Sequence, residues 1–241
     1  MLNSDMQGLQ NKQGLYLAVH PLSSHASDTY ARLLADLSDQ LSSPPNRQYL
    51  QKITESKAPE RVKIQRLTAL TALLQLLSAV LPEASASLCL YRDDHGRPYA
   101  RINASCPPLD FNLSHTDSMV TCALLLGEGR IGIDAEGLLP YERAHKLAER
   151  FYTEQEQEHL SSFTSPVSYA EEVTRLWTVK EAVAKQDGLG NPVAYNGLCA
   201  PEGAALHRLR YETSHGFPVL VSLCAPLAWH TPTLISLDES P

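Results

Sequence analysis

The spacing of apolar residues changes in the middle of the chain, and this change limits the possible folds more than any other feature. After Pro59, a residue suited to a first helical turn, five leucines recur every three or four positions, which predicts one helix with a single core-facing side. They are Leu67, Leu70, Leu74, Leu77 and Leu81. From residue 87 onwards the apolar residues alternate with polar ones, which predicts strands. A long helix and a sheet in the same half of a chain indicate an α+β fold.

The same order of elements occurs a second time. A strand at 15–20 and a helix at 27–42, which we expect to stop at the SSPPN breaker, precede the long helix. Strands are predicted at 87–92, 110–114, 119–126 and 130–137, followed by helices at 141–151, 154–163 and 168–187. Three further strands are predicted in the segments LHRLRYE, FPVLVSLC and TLISL. The chain is therefore expected to form two α+β halves that meet near Gly127–Gly129: a flexible tail at 1–13, an N-terminal half at 14–127 and a C-terminal half at 128–241.

Charge and cysteine content exclude several classes of function. The 241 residues carry a formal net charge of −7, so extended nucleic-acid binding is not expected, and an anionic ligand must meet a local basic cluster. Five cysteines without a C-x-x-C pair are typical of reduced, buried thiols: Cys89, Cys106, Cys122, Cys199 and Cys224. The start lacks a signal-peptide pattern, and the apolar stretch 67–81 is too short to cross a bilayer. We expect a cytoplasmic protein without a membrane partner.

A lysine lies in the apolar side of the last predicted helix. At 100° per residue, Lys180 points along the stripe that contains Trp177 and Val183. A charge directed into a core needs a partner or a function. A lysine that extends its stem to reach solvent is the simpler alternative.

Three carboxylates could form a metal site. Asp134 and Glu136 are two positions apart on a predicted strand, so both face the same side. Oxygen ligands of this type suit Mg²⁺, and Glu181 could provide a third. The alternative is an exposed strand face, which is what an isolated D-x-E pair most often indicates.

A second group of residues could bind phosphate. Ser114 and His115 end the strand FNLSH, and Arg97 and Arg66 lie in the HGRP turn and on the long helix. Hydroxyl, imidazole and guanidinium groups all donate to phosphate oxygens. For this segment alone, a turn that simply uses Ser and His is the likelier interpretation, whereas a Ser-His hydrolase is excluded because no G-x-S-x-G motif is present.

The order of the motifs resembles the 4′-phosphopantetheinyl transferase superfamily, and the length resembles its Sfp-type branch. The segments are FNLSH, GIDAE, RFYTEQEQEHL and LWTVKEAVAKQDGLG, which together fall within residues 90–190. Each segment alone is weak evidence for this family, whereas the four segments in this order and with these spacings are specific for it. The resemblance implies two similar halves related by a pseudo-twofold axis, each a small antiparallel sheet with a packed long helix. It also implies a monomer.

The resemblance assigns roles to particular residues. It implies that Asp134, Glu136 and Glu181 bind Mg²⁺, and that Lys185 contacts the pyrophosphate of coenzyme A. The coenzyme A contacts it implies are Arg66, Arg97, Ser114, His115, Lys180 and Lys185. Further candidates near the 3′-phosphate are Lys57, Arg61 and Lys63. Glu156 matches the glutamate of the family's F-x-x-x-E segment if the spacing from Phe151 is one residue longer than in the family.

The implied reaction transfers the 4′-phosphopantetheine arm of coenzyme A to a serine of an apo carrier protein and releases 3′,5′-adenosine bisphosphate. The base for the serine is either Glu181 or a metal-bound water assisted by Glu136. A carrier is usually acidic, so Arg143, Lys146 and Arg150 are candidates for the docking surface, although a solvated helix face would look the same. Two other functions compete: a non-catalytic binder of coenzyme A or carrier, and another Mg²⁺-dependent phosphodiesterase.

Overall fold

The computed structural model describes residues 13–22, 29–85, 87–103, 106–188, 203–213, 216, 218–229 and 231–235. The predicted tail before residue 13 and Cys199 lie outside these residues. The helices are α1 (Thr29–Gln40), α2 (Pro44–Thr54), α3 (Glu60–Val80), α4 (Pro82–Ser85), α5 (Tyr141–Phe151), α6 (Glu154–Ser161) and α7 (Pro166–Asp187). The strands are β1 (Gly14–Pro21), β2 (Cys89–Arg92), β3 (Pro98–Arg101), β4 (Leu109–His115), β5 (Met119–Leu126), β6 (Gly132–Gly137), β7 (Ala204–Glu212), β8 (Pro218–Pro226) and β9 (Thr233–Ile235). The predicted α+β class is confirmed.

The first sheet has four strands in the order β4-β5-β1-β9. Every residue of β5 is buried, because this strand has neighbours on both edges and layers on both faces. One face packs against α3, whose leucines belong to the same core cluster as Val120, Cys122 and Leu124 of β5. Strand β9 pairs in parallel with β1, so the sheet is mixed rather than antiparallel as predicted. Strand β9 also places residues of the predicted C-terminal half in the sheet of the predicted N-terminal half.

The second sheet has three antiparallel strands in the order β6-β8-β7 and packs against α7. Contact between β6 and this helix is so close that an added Cβ at Gly132 would lie 1.9 Å from the carbonyl oxygen of Ala182. The two sheets share a buried cluster that includes Leu17 and Leu125 of the first and Ile133 and Val221 of the second. The sheets therefore pack against each other through one continuous core.

Two segments differ from the sequence prediction. The SSPPN segment, expected to interrupt the chain, begins helix α2, because Pro44 and Pro45 occupy its first turn, where no N–H is needed. The segment after the HGRP turn forms strand β3, which pairs with β2 as a two-stranded sheet. Within the described residues, Cys89, Cys106, Cys122 and Cys224 are free thiols, and no helix is long and apolar enough to cross a membrane.

Candidate functional site

The centre of the candidate site is a three-residue network between the two sheets. Lys185 near the end of α7 donates from Nζ to Asp134 Oδ1 at 2.6 Å and to Ser114 Oγ at 3.1 Å. Ser114 donates to the same Asp134 oxygen at 3.0 Å. Asp134 and Ser114 are 4% and 6% exposed. The structure therefore joins one predicted metal ligand and two predicted coenzyme A contacts in one buried cluster.

Asp134 retains one carboxylate oxygen that could receive a ligand. Its Oδ2 is buried and has no hydrogen-bond partner among the residues that the structure describes. A buried carboxylate oxygen without a donor is costly, and a cation would remove that cost. The donor set on this strand therefore fits a hard divalent cation at this oxygen.

Glu136 lies in an acidic environment formed by the other two predicted metal ligands. Burial, together with the negative charges of Asp134 and Glu181, raises the pKa of its carboxyl to about 7, although Arg143 and Lys185 oppose the shift. Asp134 and Glu181 are thus each close enough to Glu136 for their negative charges to disfavour its ionised form. They do not form a compact metal cage, since no group of three His, Cys, Asp or Glu side chains in the described part of the chain is arranged to hold a metal.

His115 has two basic groups within electrostatic reach. Burial lowers the pKa of His115, and the positive charges of Lys185 and Arg66 lower it further, while Asp134 and Asp117 act in the opposite direction. Lys185 and Arg66 thus both act on His115, although the three residues come from α7, α3 and β4. A local positive region next to buried carboxylates can attract a phosphate group in an acidic protein.

The other basic candidates near α3 have different surroundings. Arg61 forms an exposed ion pair with Asp117, and Lys63 Nζ donates to the carbonyl oxygen of Thr54 at 2.6 Å. Lys57 is exposed. Arg143, Lys146 and Arg150 are all exposed on α5, where they share one side of the helix at a spacing of three or four residues.

Arg97 is buried and uses all its donors inside the protein, which differs from the prediction of a phosphate contact. It makes a bidentate pair with Asp110 at 2.9 and 2.6 Å and donates to three carbonyl oxygens, those of Pro98, Ile131 and Lys185. A guanidinium has five N–H donors, so none remains for a ligand. We interpret Arg97 as an internal connection between β3, β4 and α7.

Lys180 is directed into the protein, as its place in the apolar stripe predicts, and it meets a carboxylate there. Its side chain is 2% exposed, and Nζ lies 2.9 Å from Glu156 Oε1 and 5.4 Å from the centre of the Tyr152 ring. Glu156 also accepts from the Thr153 backbone N–H at 2.8 Å, while its own N–H donates to the Thr153 hydroxyl. This reciprocal cap begins α6 and is readable in the sequence as T-x-x-E. The contact gives Lys180 and Glu156 a structural partner in each other.

Sequence reasoning missed Asp110, which lies opposite Arg97. The signal was present, because Asp110, Asn112 and Ser114 occupy every second position of one strand and so project polar groups from one side. A buried strand with three polar residues on one side indicates that a partner lies against that side.

Comparison with known proteins yields one family. The profile of the 4′-phosphopantetheinyl transferase superfamily matches residues 130–209, which contain β6, α7 and their carboxylates. The 4′-phosphopantetheinyl transferase gsp of Aneurinibacillus migulanus is 29% identical over 122 residues, 51% of this chain and 47% of that protein. The AcpT transferase of Salmonella typhimurium is 32% identical over 134 residues, 55% of this chain and 64% of that protein. The HetI transferase of Nostoc is 35% identical over 99 residues, 41% of this chain and 40% of that protein.

The chain matches these relatives over about half of their length, and the family profile covers two of the three network residues. The matched segments include Asp134 on β6 and Lys185 on α7, the two residues joined by the 2.6 Å contact. Motif order, family profile and several relatives agree. Residues 130–209 match the 4′-phosphopantetheinyl transferase superfamily, and the relatives named above support this assignment.

Proposed function

We propose that this protein is an Sfp-type transferase that moves the 4′-phosphopantetheine arm of coenzyme A onto a serine of an apo acyl, peptidyl or polyketide carrier protein. The observation that carries the proposal is the 2.6 Å contact of Lys185 with Asp134, beside a His115 on which Lys185 and Arg66 both act electrostatically, in a protein of net charge −7. A pyrophosphate needs such a positive region to bind. The names of the relatives support the same chemistry.

In the proposed reaction the serine hydroxyl oxygen attacks the β-phosphorus of coenzyme A. The bond from that phosphorus to the oxygen bridging the two phosphates breaks, and 3′,5′-adenosine bisphosphate leaves with the electron pair. The hydroxyl proton passes to a base, for which Glu181 and a water assisted by Glu136 are the candidates.

The residues of this chain act mainly by positioning and by charge. Lys185 donates to the departing phosphate from a position fixed by Asp134 and Ser114. His115 and Arg66 orient the remaining phosphate oxygens. Asp134, Glu136 and Glu181 would hold Mg²⁺, whose charge neutralises the pyrophosphate when it is bound. The orphaned Oδ2 of Asp134 is the structural support for this donor set.

The proposal extends to the organisation of the protein. We propose a cytoplasmic monomer in which a tail at 1–13 precedes halves 14–127 and 128–241, with coenzyme A in the cleft between them. The exposed basic side of α5, with Arg143, Lys146 and Arg150, is the proposed contact for an acidic carrier.

Intact-mass spectrometry tests the function directly. An apo carrier protein incubated with this protein, coenzyme A and Mg²⁺ should gain the mass of one phosphopantetheine arm, and EDTA should prevent the gain. The variant Asp134→Ala should be folded and inactive. Absence of any gain on fatty-acid, polyketide and peptide carriers, together with measurable coenzyme A binding, would instead identify a non-catalytic binder.

A further inference from the structure

Strands β4 and β6 lie side by side although they belong to different sheets. Each is the edge strand of its own sheet, and an edge strand presents N–H groups that its own sheet leaves unpaired. Both edges are buried here, so these N–H groups need acceptors other than water. Between β4 and β6, side chains must therefore provide the hydrogen bonds that backbone groups provide between paired strands.

Three side chains of β4 provide these acceptors in regular succession. Asp110 Oδ2 accepts from the backbone N–H of Ile131 at 2.8 Å. Asn112 Oδ1 accepts from that of Ile133 at 3.0 Å. Ser114 Oγ accepts from that of Ala135 at 3.3 Å. We call Asp110, Asn112 and Ser114, with these three N–H groups, the side-chain ladder.

Both ends of the side-chain ladder reach Lys185. At one end, Asp110 holds Arg97, whose Nε donates to the Lys185 carbonyl oxygen at 3.1 Å. At the other end, Ser114 accepts from the Lys185 ammonium. The backbone and the charged group of the same lysine are thus fixed to the two ends of one strand.

We propose that Asp110, Asn112 and Arg97 are positioning residues that set the register of β4 against β6 and thereby align Lys185 with Asp134. The side-chain period of a strand is two, so a slip of one residue would turn Asp134 away from Ser114 and Lys185. Asn112 is the middle step and is 4% exposed. It lies between the two ends, so its only effect on Lys185 is through the register.

The variant Asn112→Ala tests the proposal, and the chain offers a matched control. Asn46 is 3% exposed and also binds a strand through its side chain, since it accepts from the Leu90 N–H at 2.7 Å and donates to the Leu88 carbonyl oxygen at 2.8 Å. Asn46→Ala likewise removes a buried acceptor of a strand N–H, together with one donated bond, at α2 and β2, away from the side-chain ladder. Both variants should lose stability to a similar degree.

The primary readout is chemical labelling of lysine amines in the folded protein, measured by mass spectrometry. In Asn112→Ala the labelling rate of Lys185 should rise roughly tenfold, because an unsatisfied buried N–H opens the contact that holds the ammonium. In Asn46→Ala the rate should stay within about twofold of wild type. Equal Lys185 labelling in both variants would overturn the proposal.

Two more measurements keep the test decisive. If Asn112→Ala does not fold, hydrogen exchange of the wild-type protein decides: the N–H groups of Ile131, Ile133 and Ala135 should all be protected, and fast exchange of all three would refute the ladder. The second measurement is kinetic and rests on the proposed transferase function. We expect kcat to fall more in Asn112→Ala than in Asn46→Ala, with a smaller change in KM for coenzyme A. Labelling of Lys185 needs no substrate, so the labelling result stays interpretable even if the protein is not a transferase.

Discussion

The Lys180 ammonium lies 2.9 Å from Glu156 Oε1 in a region where the lysine side chain is 2% exposed. The contact joins α7 to the first turn of α6. Its partner Glu156 is simultaneously the N3 residue of the cap that begins α6, so one carboxylate both neutralises a buried charge and satisfies a helix end.

Substitution of one partner of this pair should destabilise the fold. We expect Glu156→Ala to lower the free energy of unfolding by about 3 kcal/mol, because it removes a carboxylate that pairs with the buried Lys180 charge and removes half of the cap. Urea denaturation measures the change. The exposed pair Arg210–Glu171 is the matched control, and Arg210→Ala should change stability by less than about 1 kcal/mol. Equal effects of the two substitutions would contradict the buried role of Lys180.

Lys185 should affect turnover more than binding. We expect Lys185→Ala to reduce kcat by roughly 10²-fold, since it removes a donor aimed at the departing phosphate, while coenzyme A affinity changes less. Steady-state kinetics and calorimetric titration separate the two effects. Unchanged kcat combined with weaker coenzyme A binding would make Lys185 a binding residue only.

The raised pKa of Glu136 predicts the direction of a pH effect in the metal-free protein. The folded protein holds this proton up to about pH 7, whereas an unfolded chain releases it near pH 4.5. Ionising Glu136 therefore destabilises the fold, and up to about 3 kcal/mol of stability is lost as pH rises between these values. Unfolding curves recorded in EDTA across this range should show the decline in wild type and a weaker one in Glu136→Gln. A matching decline in the variant would assign the effect to another group.

The contact between β6 and α7 allows no side chain at Gly132. We expect Gly132→Ala to destabilise the protein by about 3 kcal/mol or more, because the new methyl group would meet the backbone of α7. Gly137→Ala, on the same strand with open space around it, is the control. Thermal unfolding compares them. If Gly132→Ala were tolerated as well as Gly137→Ala, the close packing of strand and helix would be wrong.

Periodicity predicted the elements that bury one continuous face. The leucine stripe of α3 and the buried strand β5 appear where the pattern places them, because burial selects residue type along a helix or strand. Helix α2 was missed because two prolines signal an interruption and a first helical turn equally well. Strand β3 was missed because its four residues are too few to show a period.

The residues of the candidate site were easier to predict from the sequence than their spatial arrangement. The D-x-E spacing indicates that Asp134 and Glu136 share a side, and this needs no tertiary information. The partner of Arg97 depends instead on how two strands from different sheets approach each other, and a single strand carries no such information. Whether an arginine faces a ligand or a buried aspartate is decided by that approach.

The parallel pairing of β9 with β1 has a consequence for synthesis. Tyr16, Leu17 and Ala18 must wait for their partners Thr233, Leu234 and Ile235, which leave the ribosome more than 200 residues later. Until then β1 has an open edge at the place where its sheet will be completed, and open edges invite pairing with other chains. The sheet whose first strand is synthesised earliest is therefore closed last, and its open edge needs protection during translation.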